Sequence, residues 1–188
     1  MTNSTDTKTF ILIHGVWGAA WVFDEVNKLL SKDGSKVYVF DLPGHGENQK
    51  EISDVTMDAY VNHIDNFIRK IDGKVILVGH SLGGAIMSQV AERISNKIEK
   101  LIYVAAMLPK NGDSPLGLIQ SDKYGQLLPR ITFSEDQSYA TLDDSMVREL
   151  FLHDVTNKER LDKIVPEFLV KQAVQPFTAV IEVTDKNF

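Results

Sequence analysis

The chain has 188 residues, a length that suits one domain or one domain with an inserted excursion, and leaves no room for two large ones. Hydrophobic residues make up 43% and charged residues 24%, enough apolar material for a core and no signature of disorder. A net charge of −6 without a basic stripe argues against a nucleic-acid partner, and the absence of cysteine excludes disulfides, thiolate zinc sites and a cysteine nucleophile. Met1 to Lys8 lack the basic and apolar regions of a signal peptide, and no apolar run approaches the roughly 20 residues of a membrane span. A cytoplasmic protein with no membrane partner is expected.

The first predicted strand is Thr9-Phe10-Ile11-Leu12-Ile13, a continuous aliphatic run of the kind buried on both faces of a parallel sheet, ending at His14-Gly15. A helix is predicted over about Ala20–Leu30 from the spacing of Val22, Val26, Leu29 and Leu30, with Gly34 at its exit. Lys36-Val37-Tyr38-Val39-Phe40 reads as a second strand, followed by the turn-rich loop Asp41-Leu42-Pro43-Gly44-His45-Gly46. From about Thr56 to Ile71 the residues Met57, Tyr60, Val61, Ile64, Phe67, Ile68 and Ile71 share one helical face, with Asn62, Asp65, Arg69 and Lys70 opposite. Lys74-Val75-Ile76-Leu77-Val78 is a third buried strand, a helix spans about Leu82–Ser95, and Lys100–Ala106 is a fourth strand. Strands and helices that alternate across short loops imply right-handed crossovers, hence an α/β fold with a doubly wound, mainly parallel sheet.

The rhythm breaks at Pro109. Residues 9–108 read as the core, preceded by a tail over residues 1–8, and residues 109–178 as an inserted helical cap of short amphipathic pieces. Within the cap Asp143 or Asp144 caps a helix reaching Leu152, and Thr156-Asn157-Lys158-Glu159 fits a capping box. Glu167–Val174 is a third candidate helix, with Pro166 at its first turn. The β-like Ala179–Val183 opens a return to the core over residues 179–188.

Gly79-His80-Ser81-Leu82-Gly83 matches G-x-S-x-G between a strand and a helix, where glycines permit the sharp turn that presents a serine hydroxyl above the sheet. The plain alternative is a glycine-rich strand-to-helix turn with a capping serine. An activated serine needs an oxyanion hole, and two backbone donors are in place: Leu82, after the serine, and Val16, in the loop after the first strand. Gly15 lets that loop approach a substrate closely. Ala85-Ile86 stand where a P-loop needs Lys and Ser or Thr, no G-x-G-x-x-G occurs, and the five histidines lack metal spacing, so neither nucleotide, other cofactor nor metal is expected.

His14-Gly15, Asp41-Leu42-Pro43-Gly44-His45-Gly46 and Gly79-His80-Ser81-Leu82-Gly83-Gly84, each at the end of a strand and in this order, resemble the α/β-hydrolase superfamily. Trp17 and Trp21, Val75–Gly84 and Ala105-Ala106-Met107-Leu108-Pro109 narrow the resemblance to the plant methylesterase and hydroxynitrile-lyase family and its bacterial esterase relatives. The resemblance implies Ser81 as nucleophile, the amides of Val16 and Leu82 as oxyanion donors, and Gly15, Trp17 and His80 as substrate contacts. Gly15 stands where the lyase branch tends to have threonine, which favours the esterase branch; Gly18 and Ala19 depart from the His-Gly often found between the tryptophans.

The resemblance also implies a further core strand, a catalytic acid and a catalytic histidine after the segment ending at Phe188. Of the histidines here only His153 follows Ser81, at the end of a cap helix; His14, His45 and His80 are expected to shape loops, and His63 to sit at a helix boundary. Asp113 is the remaining acid candidate, although Asn-Gly-Asp reads more simply as a turn. The expected function is a serine hydrolase of carboxylesterase type acting on small esters, impaired by an incomplete triad. The alternatives are a non-catalytic pseudo-hydrolase or gene fragment and, third, a hydroxynitrile lyase. The fourth strand is expected to leave an exposed apolar edge that self-associates or is covered by Val180–Val183 folding back.

Overall fold

The computed structural model describes residues 7–184, so most of the expected tail and the last four residues lie outside the described region. Strands β1 (Thr9–Ile13), β2 (Lys36–Val39), β3 (Val75–Ser81) and β4 (Ile98–Ala106) form one parallel sheet in the order β2-β1-β3-β4. The register pairs Ile13 with Gly79 and Gly79 with Tyr103, which brings the C-terminal ends of the strands together at one rim. Ligand sites of open α/β sheets lie along that rim.

Between the strands run α1 (Asp24–Lys32), α2 (Met57–Ile68) and α3 (Gly83–Ile94). Of the apolar stripe predicted for α2, Met57, Tyr60, Val61, Ile64 and Ile68 are buried and Phe67 is half-buried, while Asp65, expected on the outer side, is buried too; Thr56 caps the helix by accepting the Ala59 N–H at 3.0 Å. On this side of the sheet Ile11, Ile13, Val75 and Leu77 pack with Tyr60, Ile64, Ile86, Met87 and Val90 into the main core. The opposite face holds a smaller cluster of Leu12, Ile76 and Val78 against Phe23. There the sequence reading and the structure part. Ala20–Phe23 forms a tight 3₁₀ turn, α1 begins only at Asp24, and Val26 and Leu29 are 41% and 62% exposed. Of α1 only Leu30 packs partly buried against the small cluster, which leaves Val26 and Leu29 largely open to solvent among the described residues.

After β4 the chain forms α4 (Pro115–Ser121), capped by Ser114, and a three-stranded antiparallel sheet of β5 (Thr132–Phe133), β6 (Tyr139–Thr141) and β7 (Gln172–Ala173). The turn α5 (Asp144–Met146), capped by Asp143, widens into a π-type turn over Val147–Phe151. Next come α6 (Lys158–Phe168) and α7 (Gln175–Thr178). The expectation of only helices over residues 109–178 is therefore corrected to a mixture of helices and short strands. The helix expected over Glu167–Val174 does not form. Leu161, Ile164, Val165 and Phe168 form one apolar face that continues past Pro166, so burial of that face keeps the proline inside the last turn of α6 although it forgoes the N–H bond to Asp162. The cap of α6 is Asn157, which accepts the Arg160 N–H at 2.9 Å, in place of the Thr156–Glu159 box.

The stretch 179–184 is extended but joins no strand. Ile181 is wholly buried, and its N–H and C=O pair with Asp113 C=O and Gly112 N–H at 2.8 and 2.9 Å. It does not cover β4, which stays at the sheet edge with Val104 45% exposed.

Candidate active site

Ser81 ends β3 with φ of 53°, a left-handed conformation uncommon for a residue with a side chain, and α3 starts two residues later. The turn is tight because its glycines touch. A Cβ on Gly79 would lie 2.6 Å from the Gly83 carbonyl, and one on Gly83 would meet the carbonyl of Ile13. The register with β4 slips at the same level, where Ala105 takes φ of 42° and the Ser81 carbonyl accepts the Met107 N–H at 3.0 Å. Such clustered backbone strain persists only where surrounding packing enforces it.

Gly15 abuts this turn: a Cβ there would lie 2.7 Å from Ser81 Cβ and 3.3 Å from Ser81 Oγ. Two buried histidines pin the loop that contains it. His14 Nε2 accepts the Leu42 N–H at 3.1 Å, so Nδ1 carries the proton and donates to the Gly15 carbonyl at 2.7 Å. His45 Nδ1 donates to the Gly18 carbonyl at 2.9 Å, and its Nε2 accepts from the Tyr60 hydroxyl at 2.9 Å. Burial, then the neighbouring His45, lowers the His14 pKa to about 3; burial also lowers that of His45. Both rings are therefore neutral tethers between the loops after β1 and β2. Asp41 completes that corner by accepting the N–H groups of Ala20 at 2.7 Å and Glu47 at 2.9 Å.

A cavity of about 500 Å³ opens onto Ser81. Its floor comes from Gly15, Val16, Gly18, His80 and Ala105, and its walls from Trp21, Val22, Leu127, Leu150, Phe151, Leu152, Val155, Ile164 and Phe168, with Arg160 as its one cationic side chain. Trp21 packs edge-on against Phe168 with ring centroids 5.1 Å apart, and Phe168 meets Phe151 at 5.5 Å. A smaller cavity of about 260 Å³ touches Ser81 from the other side, beside Met107, Leu118 and Asp122. An apolar chamber with a few polar groups at one end suits a small, mostly apolar organic molecule.

Of the residues expected from sequence, Ser81, Gly15, Val16 and His80 meet in one cavity, and Leu82 is buried directly after the serine. Trp17 requires a correction: it is wholly buried and its indole N–H donates to the Ala140 carbonyl at 3.3 Å, leaving Trp21 to line the cavity. His153 is exposed, and His63 is half-buried against Phe40 at 5.1 Å. Asp113 closes the Asn-Gly-Asp turn by accepting the Lys110 N–H at 2.7 Å. Among the described residues no histidine hydrogen-bonds Ser81, no three potential metal ligands cluster, and no helix is long and apolar enough to cross a membrane. Ile164 and Phe168 were missed, although the helical spacing of Leu161, Ile164, Val165 and Phe168 is a signal that could have found them. Arg160 and Leu127 carried no comparable signal.

A profile of the α/β-hydrolase fold family matches residues 8–168, and the chain belongs to that family. It is 31% identical over 153 residues to methylesterase 9 of Arabidopsis thaliana, covering 77% of this chain and 57% of that protein. It is 34% identical over 112 residues to a carbendazim-hydrolysing esterase of Nocardioides, covering 58% of this chain and 46% of that one. The crystal structure of a pyrethroid hydrolase from Sphingobium faniae superposes with a TM-score of 0.82 at 27% identity, over 96% of this chain and 74% of the other. These three relatives are by name a methylesterase, an esterase and a hydrolase, and the chain spans about half the length of the curated ones.

Proposed function

We propose that the chain is the nucleophile-bearing scaffold of a carboxylesterase-type serine hydrolase for small esters, with residues 109–178 as its cap. Ser81 Oγ attacks the ester carbonyl, the N–H groups of Val16 and Leu82 receive the oxyanion, and the alcohol leaves with a proton to give an acyl-enzyme that water hydrolyses. The observation that carries this reading is Ser81 itself, strained at φ of 53° and opening on the apolar cavity beside Gly15. The proposed partner is a small ester in a cytoplasmic setting, with no cofactor, nucleic acid or membrane. Self-association along the free edge of β4 is a further expectation, read by sedimentation.

A serine hydroxyl needs a base. Losing the histidine of a triad costs about 10⁶ in turnover, while an oxyanion hole alone keeps roughly 10³–10⁴ over water. The 188-residue chain is therefore expected to hydrolyse p-nitrophenyl acetate slowly, through a component that Ser81→Ala removes, and to react sluggishly with a fluorophosphonate. Turnover at rates ordinary for an esterase and abolished by Ser81→Ala would overturn the impairment; hydrolysis indifferent to Ser81→Ala would overturn the nucleophile. The second reading, a non-catalytic binder of small apolar ligands, is favoured by the apolar cavity, where no described histidine hydrogen-bonds Ser81, and ligand binding without any Ser81-dependent turnover would establish it.

A further inference from the structure

The loop after β1 is held from above as well as from below. Trp17 has φ of 53°, an unfavourable conformation for so bulky a residue, and lies next to Val16. Its backbone N–H donates to Gln172 Oε1 at 3.3 Å and its indole N–H to the Ala140 carbonyl at 3.3 Å. Ala140 and Gln172 are register partners across β6 and β7, so one pair of facing strand residues grips Trp17 at two atoms. Gln172 is in turn fixed, 1% exposed, by donating to the Tyr60 hydroxyl at 3.3 Å and to the Ala173 carbonyl at 3.1 Å. Tyr60 donates to His45, whose other nitrogen holds Gly18. The buried chain Trp17–Gln172–Tyr60–His45–Gly18 thus clamps the backbone on the far side of Val16, and its second member, Gln172, comes from β7.

We propose that Gln172 is a positioning residue for the oxyanion hole: by holding the Trp17 N–H it fixes the Val16–Trp17 peptide plane, and through it the adjoining Gly15–Val16 plane whose N–H serves Ser81. The inference rests on the functional reading above. A glutamine fits this task because its oxygen and amide group act at once, the oxygen accepting from Trp17 while the amide group donates to Tyr60. Neither Gln172 nor Trp17 lines the cavity, so Gln172 acts on the developing charge through the loop and not on substrate binding.

The test uses the full chain with Gln172→Met, which keeps bulk and removes both polar arms, and Gln172→Asn, which keeps polarity but falls one methylene short. Two-dimensional amide NMR of Ser81-intact protein reports the Trp17 φ through its intraresidue N–H to Hα contact and the Val16 amide through its shift. Steady-state hydrolysis of p-nitrophenyl acetate is measured alongside, corrected by Ser81→Ala. Expected are loss of the left-handed Trp17 signature, a moved or broadened Val16 amide, and a fall of about 10²-fold in the Ser81-dependent kcat at unchanged KM, the cost of a misplaced oxyanion donor. Either variant, if folded, with the Trp17 and Val16 signals unmoved overturns the inference; so does a moved Trp17 with unaltered kcat, or a KM effect alone. Unsubstituted chain whose hydrolysis ignores Ser81→Ala defeats the functional reading instead, and the amide signals then decide whether Gln172 sets this loop.

Discussion

Substituting Gly15 by alanine places a methyl where Ser81 already is. The new Cβ would lie 2.7 Å from Ser81 Cβ, 3.1 Å from the His80 carbonyl oxygen and 3.3 Å from Ser81 Oγ. Two carbons attract best at about 3.5–4.0 Å, so the closest pair overlaps by about 1 Å. Neither partner can swing aside, because Gly15 follows β1 and Ser81 ends β3, and those strands are locked side by side at Ile13 and Gly79. Overpacking of this sort costs about 1–3 kcal/mol. At about 2–4 °C of Tm per kcal/mol for a chain of this size, the melting point should fall by roughly 2–12 °C. The background gives the more specific signature. In Ser81→Gly the nearest contact vanishes and only the His80 carbonyl remains, so the penalty of Gly15→Ala should shrink by about 1 kcal/mol; in Ser81→Ala the Cβ persists and the penalty should be undiminished. Urea unfolding of the six proteins, read as midpoints at constant m, gives both numbers. Equal penalties in all three backgrounds would refute the argument that the two residues meet at their Cβ atoms.

Ser81→Gly by itself should be more stable than Ser81→Ala by about 0.5–1 kcal/mol, because glycine relieves the left-handed backbone at a smaller entropic cost; equal thermal midpoints would contradict the strain. His14 stays neutral when folded down to a pH of about 3, whereas an unfolded histidine takes its proton near 6.5. Stability from this group is therefore complete above about pH 6.5 and falls toward pH 3 by up to about 1.4 kcal/mol per unit, with His45 acting in the same direction. Denaturation between pH 7 and 5 with imidazole NMR checks this, and a folded-state His14 that titrates near 6.5 would overturn it. Of the two tryptophans only Trp21 lines the cavity, so a non-fluorescent apolar ester such as cyclohexyl acetate should alter the emission of the native chain and not that of Trp21→Phe.

Where the sequence read correctly, the information was local and repetitive. Four aliphatic runs at the right intervals identify the parallel strands, of which β1 and β3 are the buried pair, and the 3.6-residue stripe of Met57 to Ile68 identifies α2, because burial on two faces or one leaves those periods in the residues themselves. Ser81, Gly15 and Val16 were legible for a related reason: glycine at Gly15, Gly79 and Gly83 records close backbone approach. The insert was poorly legible, since two- and three-residue strands such as Thr132–Phe133 and Gln172–Ala173 are too short to show alternation. Proline at 166 mimicked a helix start while an apolar face continued past it.

Periodicity by itself determined the α/β class and the succession of strands and helices along the chain, and the G-x-S-x-G motif the turn that carries Ser81. Only the tertiary structure decided that Trp17 serves the scaffold and Trp21 the cavity, that His14 and His45 are tethers, and that Gln172 meets Trp17. The two residues of each such pair lie far apart in the chain, Trp17 and Gln172 by 155 positions, and hydrogen bonds across that distance leave no periodic trace. A lone buried glutamine looks like any other polar residue until the packing shows which backbone N–H it must satisfy.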